Sequence, residues 1–215
     1  MAGLRLDGIG HRLLAPVDLT LAAGELVFLS GASGAGKSLL LRAIADLDPN
    51  TGEVWLNGEA RSRMTPPDWR RRVGLLPAES CWWAESVGEH LPRARTAAAT
   101  TPLVLDWLAR LGFAPDVLSW SISRLSTGER QRLALVRLLA QEPEALLLDE
   151  ATANLDPASR DRAEILIETY RQHAQAAVLW VSHDPEQRSR LSRGLDQRPG
   201  GRAFVIQDGH LEPES

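Results

Sequence analysis

Eight consecutive residues, Gly31-Ala32-Ser33-Gly34-Ala35-Gly36-Lys37-Ser38, follow the pattern G-x-x-x-x-G-K-[ST]. The small residues let the backbone curl so that several N–H groups face inward toward a polyanion. A helix starting at the loop's end adds its positive dipole end. Lys37 is then expected to reach the β- and γ-phosphates of ATP, and the Ser38 hydroxyl to ligate Mg²⁺. A glycine-rich turn that binds nothing is the alternative. Background composition produces the full pattern in roughly 1% of chains this size, which favours the phosphate loop.

A second constellation closes the apolar run Ala145-Leu146-Leu147-Leu148 with two acids, Asp149 and Glu150. A buried strand delivers Asp149 beside the phosphate loop, where it can hold the Mg²⁺ shell. Glu150 projects elsewhere and is the candidate general base for an attacking water. Acids capping a strand are common; beside a phosphate loop they gain this meaning.

Both groups need a frame. Glu25–Ser30 reads as an apolar strand ahead of the loop, and Ser38–Ala45 as the helix after it. Before them, the first stretch reads as short strands and turns. Thr51–Gly58 alternates and ends in Asn-Gly, a hairpin signal. A helix around Trp69–Arg72 leads to a strand at Val73–Leu76 that Pro77 stops. From Glu79 to about Ser123 the pattern is helical and irregular, with Pro92, Pro102 and Pro115, as in an inserted lobe. Helices at Gly128–Gln141 and Ser159–Gln175 then alternate with strands at Ala145–Asp149 and Ala177–Ser182. The tail, with Asp208-Gly209 between apolar flanks, is expected to form a hairpin. The fold class is therefore α/β, a mainly parallel sheet covered by helices on both faces.

Composition narrows the function classes. The 215 residues are 44% hydrophobic and 24% charged, a globular balance, and the net charge of -4 gives no general pull toward nucleic acid. The lone Cys81 cannot form an internal disulfide, is expected to fill a small buried space, and fits a reducing cytosol. No apolar run approaches the ~20 residues needed to span a bilayer.

Further segments resemble the ATP-binding-cassette (ABC) ATPases. Leu125-Ser126-Thr127-Gly128-Glu129 is similar to their LSGGQ signature, Ala151–Asp156 to their D-loop, and Val181-Ser182-His183-Asp184 to the segment with the switch histidine. These follow one another in family order over essentially the whole chain. The resemblance implies one P-loop domain over residues 1–215, with a core at 1–78 and about 129–215, a small antiparallel β subdomain, and a helical lobe at about 79–128. It implies an ATPase that dimerises head to tail, Ser126 and Gly128 of one copy capping the γ-phosphate held by the other. Asp156 is expected near that nucleotide, and His183 on its γ-phosphate. It further implies a separate permease, docked through Ser80–Leu91, and a peripheral position on the cytoplasmic side of the inner membrane. Adjacent Trp82 and Trp83 cannot easily share one core face, so one is expected to remain available to a partner.

Three features depart from the family pattern. Ala78 stands where a Mg²⁺-holding glutamine is usual, with Glu79 one position off. Thr127 replaces glycine and adds a β-branch at a helix start, and Glu129 replaces glutamine. Gly8–Leu13 has no aromatic to stack on adenine; His11 or Arg12 is the candidate substitute, with a solvent-facing turn as the alternative, and base selectivity is expected to be loose. Val104–Ser119, Ala177–Val181 and the compact length are similar to a small bacterial subgroup linked to iron or metal export, with lipoprotein-release systems as competitor. A soluble or regulatory ABC ATPase uncoupled from transport is the alternative class. A GTPase is excluded, since no N-K-x-D pattern occurs.

Overall fold

The computed structural model describes residues 2–11, 13–91, 102–192 and 201–214. The chain begins with β1 (Ala2–His11), β2 (Leu14–Ala22) and β3 (Leu26–Gly31), followed by α1 (Lys37–Ile44). Next come β4 (Thr51–Leu56), β5 (Glu59–Ala60), α2 (Pro66–Arg72) and β6 (Val73–Leu76). The second half holds α3 (Pro102–Arg110), α4 (Thr127–Leu139), β7 (Ala145–Asp149), α5 (Pro157–Ala174), β8 (Ala177–Val181), α6 (Pro185–Ser192), β9 (Gly201–Gln207) and β10 (His210–Pro213). The Asn57-Gly58 and Asp208-Gly209 hairpins form at the expected places, with positive φ at all four residues.

Two sheets result. A four-stranded antiparallel sheet runs β2-β1-β4-β5, and a six-stranded sheet runs β10-β9-β3-β8-β7-β6. In the larger sheet β9, β3, β8, β7 and β6 are parallel, with β10 antiparallel at one edge. Its central strands β3, β8 and β7 are apolar runs because both faces are covered. Along β7, Leu146 and Leu148 enter a core with α3, α4 and α5, while Ala145 and Leu147 face a second core shared with α1 and the antiparallel sheet. Leu26 and Phe28 of β3 divide from Val27 and Leu29 in the same way. This is the strand period of two.

Two expectations change. The first stretch is not made of short strands: β1 has 10 residues and β2 has 9, joined through register shifts that keep Leu4, Leu6 and Ile9 buried. Gly8, at φ 61, supplies the backbone freedom for that irregularity. The lobe is also less helical than expected. Among its described residues, α3 is joined by single 3-10 turns at 88–90, 115–119 and 122–124, and Pro77–Val87 is irregular. Pro102 and Pro115 open helical segments, where the missing N–H is not needed; Pro92 lies outside the described residues. The boundary placed at 128/129 falls in the first turn of α4, one continuous helix.

Candidate nucleotide site

The parallel strands β3, β8, β7 and β6 end at one edge of the sheet, and a crevice outside carboxyl ends of parallel strands is where such sheets hold ligands. Leu29 of β3 pairs with Val181 of β8, which pairs with Asp149 of β7, so the residues after them leave the sheet level with one another. Paired strands lie about 4.8 Å apart. The loop Gly31–Ser38, the acids Asp149 and Glu150, and His183 thus meet because of strand order.

Within the loop, Gly31, Gly34 and Gly36 have φ of 138, 80 and 102. A Cβ on Gly31 would lie 2.6 Å from the Ile206 carbonyl, and one on Gly36 would lie 2.9 Å from the Leu14 side chain. Both positions therefore require glycine on two counts, conformation and space. Helix α1 opens with no side-chain cap and no acid in its first turn, which leaves its N–H groups to another acceptor. Lys37 is 7% exposed and its Nζ donates to the Gly31 and Ala32 carbonyls, each at 2.9 Å. Burial pulls its pKa down, while the charges of Glu150 and Asp149 act in the opposite direction. Both acids therefore lie within electrostatic range of the ammonium. Ser38 is exposed in the first turn of α1.

Asp149 is 8% exposed at the end of β7. Glu150 follows with φ 50, a left-handed conformation uncommon outside glycine and costing roughly 1 kcal/mol or more. That turn separates the directions of the two carboxylates. The Glu150 N–H is held by the Val181 carbonyl at 3.2 Å. His183 Nε2 lies 3.3 Å from Glu150 Oε1, both side chains being half-exposed. The pair borders a cleft of about 320 Å³ also lined by Thr152, Ala153, Leu155 and Arg160.

Ser126 and Gly128 do not join this group; Ser126 bonds Glu129, and a Cβ added at Gly128 would lie 3.4 Å from the Leu155 side chain and 3.9 Å from the Asn154 carbonyl. Ser126 caps α4 in a reciprocal capping box. Its N–H and hydroxyl donate to Glu129 Oε2 at 2.8 and 2.9 Å, and its Oγ accepts the Glu129 N–H at 3.3 Å. These bonds from Ser126 hold the Glu129 carboxyl below its ordinary pKa. Asp156 caps α5, accepting the Ser159 N–H at 3.0 Å. Ala78 and Glu79 are exposed beyond β6, and Ala78 offers no ligand. His11 closes β1 opposite Leu14, and Arg12 lies outside the described residues.

The tryptophans separate as adjacent residues must. Trp82 packs against the lobe core and Trp83 is 71% exposed. Cys81 is exposed and not buried as expected; its carbonyl accepts a hydrogen bond from Arg137 Nη1 at 2.8 Å. Sequence reasoning missed two features here. Arg137 stacks on both tryptophans, at 4.6 and 5.0 Å from their ring centroids, and buried Gln187 bonds Ser182 and Thr152 beside the site. Neither sits in a recognisable pattern, so only the fold finds them.

A curled loop of glycines, an uncapped helix end, a lysine, an exposed serine and a buried aspartate make a donor set that fits a triphosphate and a divalent oxygen-seeking cation. Glu150 and His183 stand where a proton can be taken from a water beside it.

Comparison with known proteins agrees with this chemistry. Residues 14–153 match the family model described as ABC transporter. The chain is 31% identical over 205 residues to the probable iron export ATP-binding protein FetA of Escherichia coli (strain K12), covering 91% of each chain. It is 36% identical over 216 residues to the aliphatic sulfonates import ATP-binding protein SsuB 2 of Frankia alni, covering 99% of this chain and 78% of the relative. The dimeric post-hydrolysis structure of the ATP-binding cassette MJ0796 bound to ADP and Pi superposes with a TM-score of 0.78, covering 99% of this chain and 98% of that one at 23% identity, which speaks to the fold alone.

Proposed function

The chain belongs to the ABC transporter family of ATP-binding ATPases, and from that premise we propose that it works as a head-to-tail pair energising a separate membrane permease. The observation that carries this reading is the meeting of Lys37, Asp149, Glu150 and His183 at neighbouring strand ends. In it, the backbone of Gly31–Ser38 and the Lys37 ammonium bind the phosphates of ATP. Ser38 and Asp149 would hold Mg²⁺, which would supply neutralisation of the phosphate charge when bound. Glu150 takes the proton of the attacking water at a carboxylate oxygen. His183 orients Glu150 and meets the γ-phosphate.

Ser126 and the start of α4 complete the site from a second copy, since a helix N-terminus attracts anions and in one chain this end faces the D-loop segment. Asp156 borders that junction. The permease takes the exposed Trp83 and the segment around it as its docking surface. No described helix is long and apolar enough to cross a membrane, so the permease does the spanning and this chain sits peripherally on the cytoplasmic face. For the cargo we infer metal export. The iron-export relative matches in size as well as sequence, at 91% of both chains, whereas the sulfonate importer is longer.

Glu150→Gln tests the mechanism directly. With ATP it should elute from gel filtration as a dimer, and its turnover should drop on the order of 10²–10⁴-fold. A persistent monomer sinks the sandwich arrangement. Undiminished turnover sinks Glu150 as base.

A further inference from the structure

The structure assigns a positioning role to Gln187, one that rests on the hydrolysis reading above: its side-chain amide fixes His183 against Glu150. Gln187 lies in the first turn of α6 and is 4% exposed. Its Oε1 accepts the Ser182 hydroxyl at 2.5 Å, and its Nε2 donates to Thr152 Oγ1 and to Glu164 Oε1, each at 2.7 Å. Ser182, Thr152 and Glu164 are buried to a similar degree, at 4%, 3% and 4%. Both N–H groups of the amide are used. Its orientation is also fixed, because a flipped amide would set Oε1 against the Glu164 carboxylate.

The three partners sit at informative places. Ser182 immediately precedes His183, and its Oγ also accepts the Asp184 N–H at 3.2 Å, so it brackets the histidine on both sides. Thr152 lies two residues beyond Glu150 in the turn that follows β7. Glu164 belongs to α5, and both its oxygens are held by Arg190 at 2.9 and 2.7 Å. The Gln187 amide therefore ties the end of β8 to the end of β7 and anchors both to α5. His183 and Glu150 are themselves 47% and 38% exposed, and they approach to 3.3 Å from two separate loops. Half-exposed side chains keep such a separation when their loops are fixed; beyond the backbone bond from the Glu150 N–H to the Val181 carbonyl, the buried amide joins these two loops through side chains. Buried polar networks act this way when every member is satisfied.

The test is a crystal structure and steady-state ATP hydrolysis of Gln187→Leu, with Gln187→Glu, Glu164→Gln and their double variant. In Gln187→Leu the His183–Glu150 contact should open beyond hydrogen-bond reach. Its kcat should fall on the order of tenfold or more, because misplacement of reacting groups is penalised steeply. KM for ATP should stay within about twofold, since the phosphate loop is held by its own backbone. Gln187→Glu sets two buried carboxylates together and should be impaired alone. Gln187→Glu/Glu164→Gln restores a donor facing an acceptor and should recover most of the turnover. A merely structural role lowers the melting temperature but leaves the His183–Glu150 contact and the kcat of the folded enzyme unchanged. An unchanged His183–Glu150 contact in Gln187→Leu, or a double variant no better than the singles, overturns the assignment. If Gln187→Leu does not fold, recovery in the double variant decides the matter. Turnover retained by Glu150→Gln would defeat the hydrolysis reading instead, while the crystallographic contact would still judge Gln187.

Discussion

The loop after β3 and the loop after β6 leave the same edge of one sheet, yet different parts of the molecule hold them. The first is held from within. Its shape follows from positive φ at Gly31, Gly34 and Gly36, and Lys37 Nζ returns to the Gly31 and Ala32 carbonyls. The second relies on another helix as well as on its own residues. Gln131 Nε2 reaches the Pro77 carbonyl at 3.4 Å, Arg137 donates to the Cys81 carbonyl, and the Arg137 guanidinium lies over Trp82 and Trp83. At its far end His90 Nε2 accepts the Trp83 and Ala84 N–H groups, each at 2.9 Å, and Nδ1 faces the Ser86 carbonyl. One loop is thus prepared for phosphate wherever a strand and helix frame it. The other takes its shape from α4, whose opposite end carries Ser126. Under the proposed function, α4 therefore connects the loop proposed to face the permease with the helix end proposed to meet the partner's nucleotide.

Lys37→Ala should strike the first loop alone and hardest. Loss of a buried ammonium facing phosphate removes charge-assisted bonds of about 1.5–3 kcal/mol, so ATP affinity should fall on the order of 100-fold by equilibrium dialysis. Hydrogen exchange over residues 80–91 should be unaltered. Retained affinity would remove Lys37 from the site; altered exchange at 80–91 would mean the loops are not separately held. Arg137→Ala is the mirror experiment. Losing its bond to Cys81 and its stacking on two indoles should lower unfolding stability by about 2 kcal/mol, read as a lower urea midpoint at constant m. Exchange over 80–91 should quicken while ATP affinity stays within about twofold. A tenfold loss of ATP affinity would break the contrast between the two loops.

The same contrast explains what the sequence disclosed. The phosphate loop was legible because its conformation is written in consecutive residues, and β7 and β8 because burial on both faces leaves unbroken apolar runs. The paired tryptophans were half legible: adjacency forces them apart, and Trp83 is the exposed one. The surroundings of Cys81 were hidden, since its carbonyl bonds an arginine 56 residues away. Gln187 was hidden for the same reason, with partners 35 and 23 residues distant. The length of β1 escaped because its bulges break the strict alternation by which strands are recognised. Local conformation is thus readable from neighbours in the chain, whereas a contact that needs the finished fold leaves no spacing to read.

Ala78→Gln tests whether the second loop has given up metal binding or only delegated it. Residue 78 is exposed at the end of β6, two strands from β8 and three from β3 in the sheet. An added oxygen ligand, direct or through water, should lower the Mg²⁺ concentration for half-maximal hydrolysis on the order of tenfold. An unchanged Mg²⁺ dependence would mean that another group already supplies the contact.

The smallest expected effect joins the two regions through α4. In Glu129→Gln the capping box persists, because glutamine can also accept the Ser126 N–H, but a negative charge leaves the helix end. That charge is worth about 0.3–1 kcal/mol in stability at a helix N-terminus. The Glu129 carboxyl is held below its ordinary pKa by the Ser126 bonds. Its stabilisation is therefore present above the unfolded value and is lost as the pH falls through the folded one. Wild type should accordingly melt slightly above Glu129→Gln near neutrality, and the gap should close only in acid, below the ordinary glutamate range. In the Glu150→Gln background the same substitution should tighten the ATP-dependent dimer by about 2- to 5-fold, because the end of α4 then presents its dipole to phosphate without a competing carboxylate. Weaker dimerisation would show that the carboxylate assists the approach of the second copy, and α4 would then transmit something other than phosphate attraction.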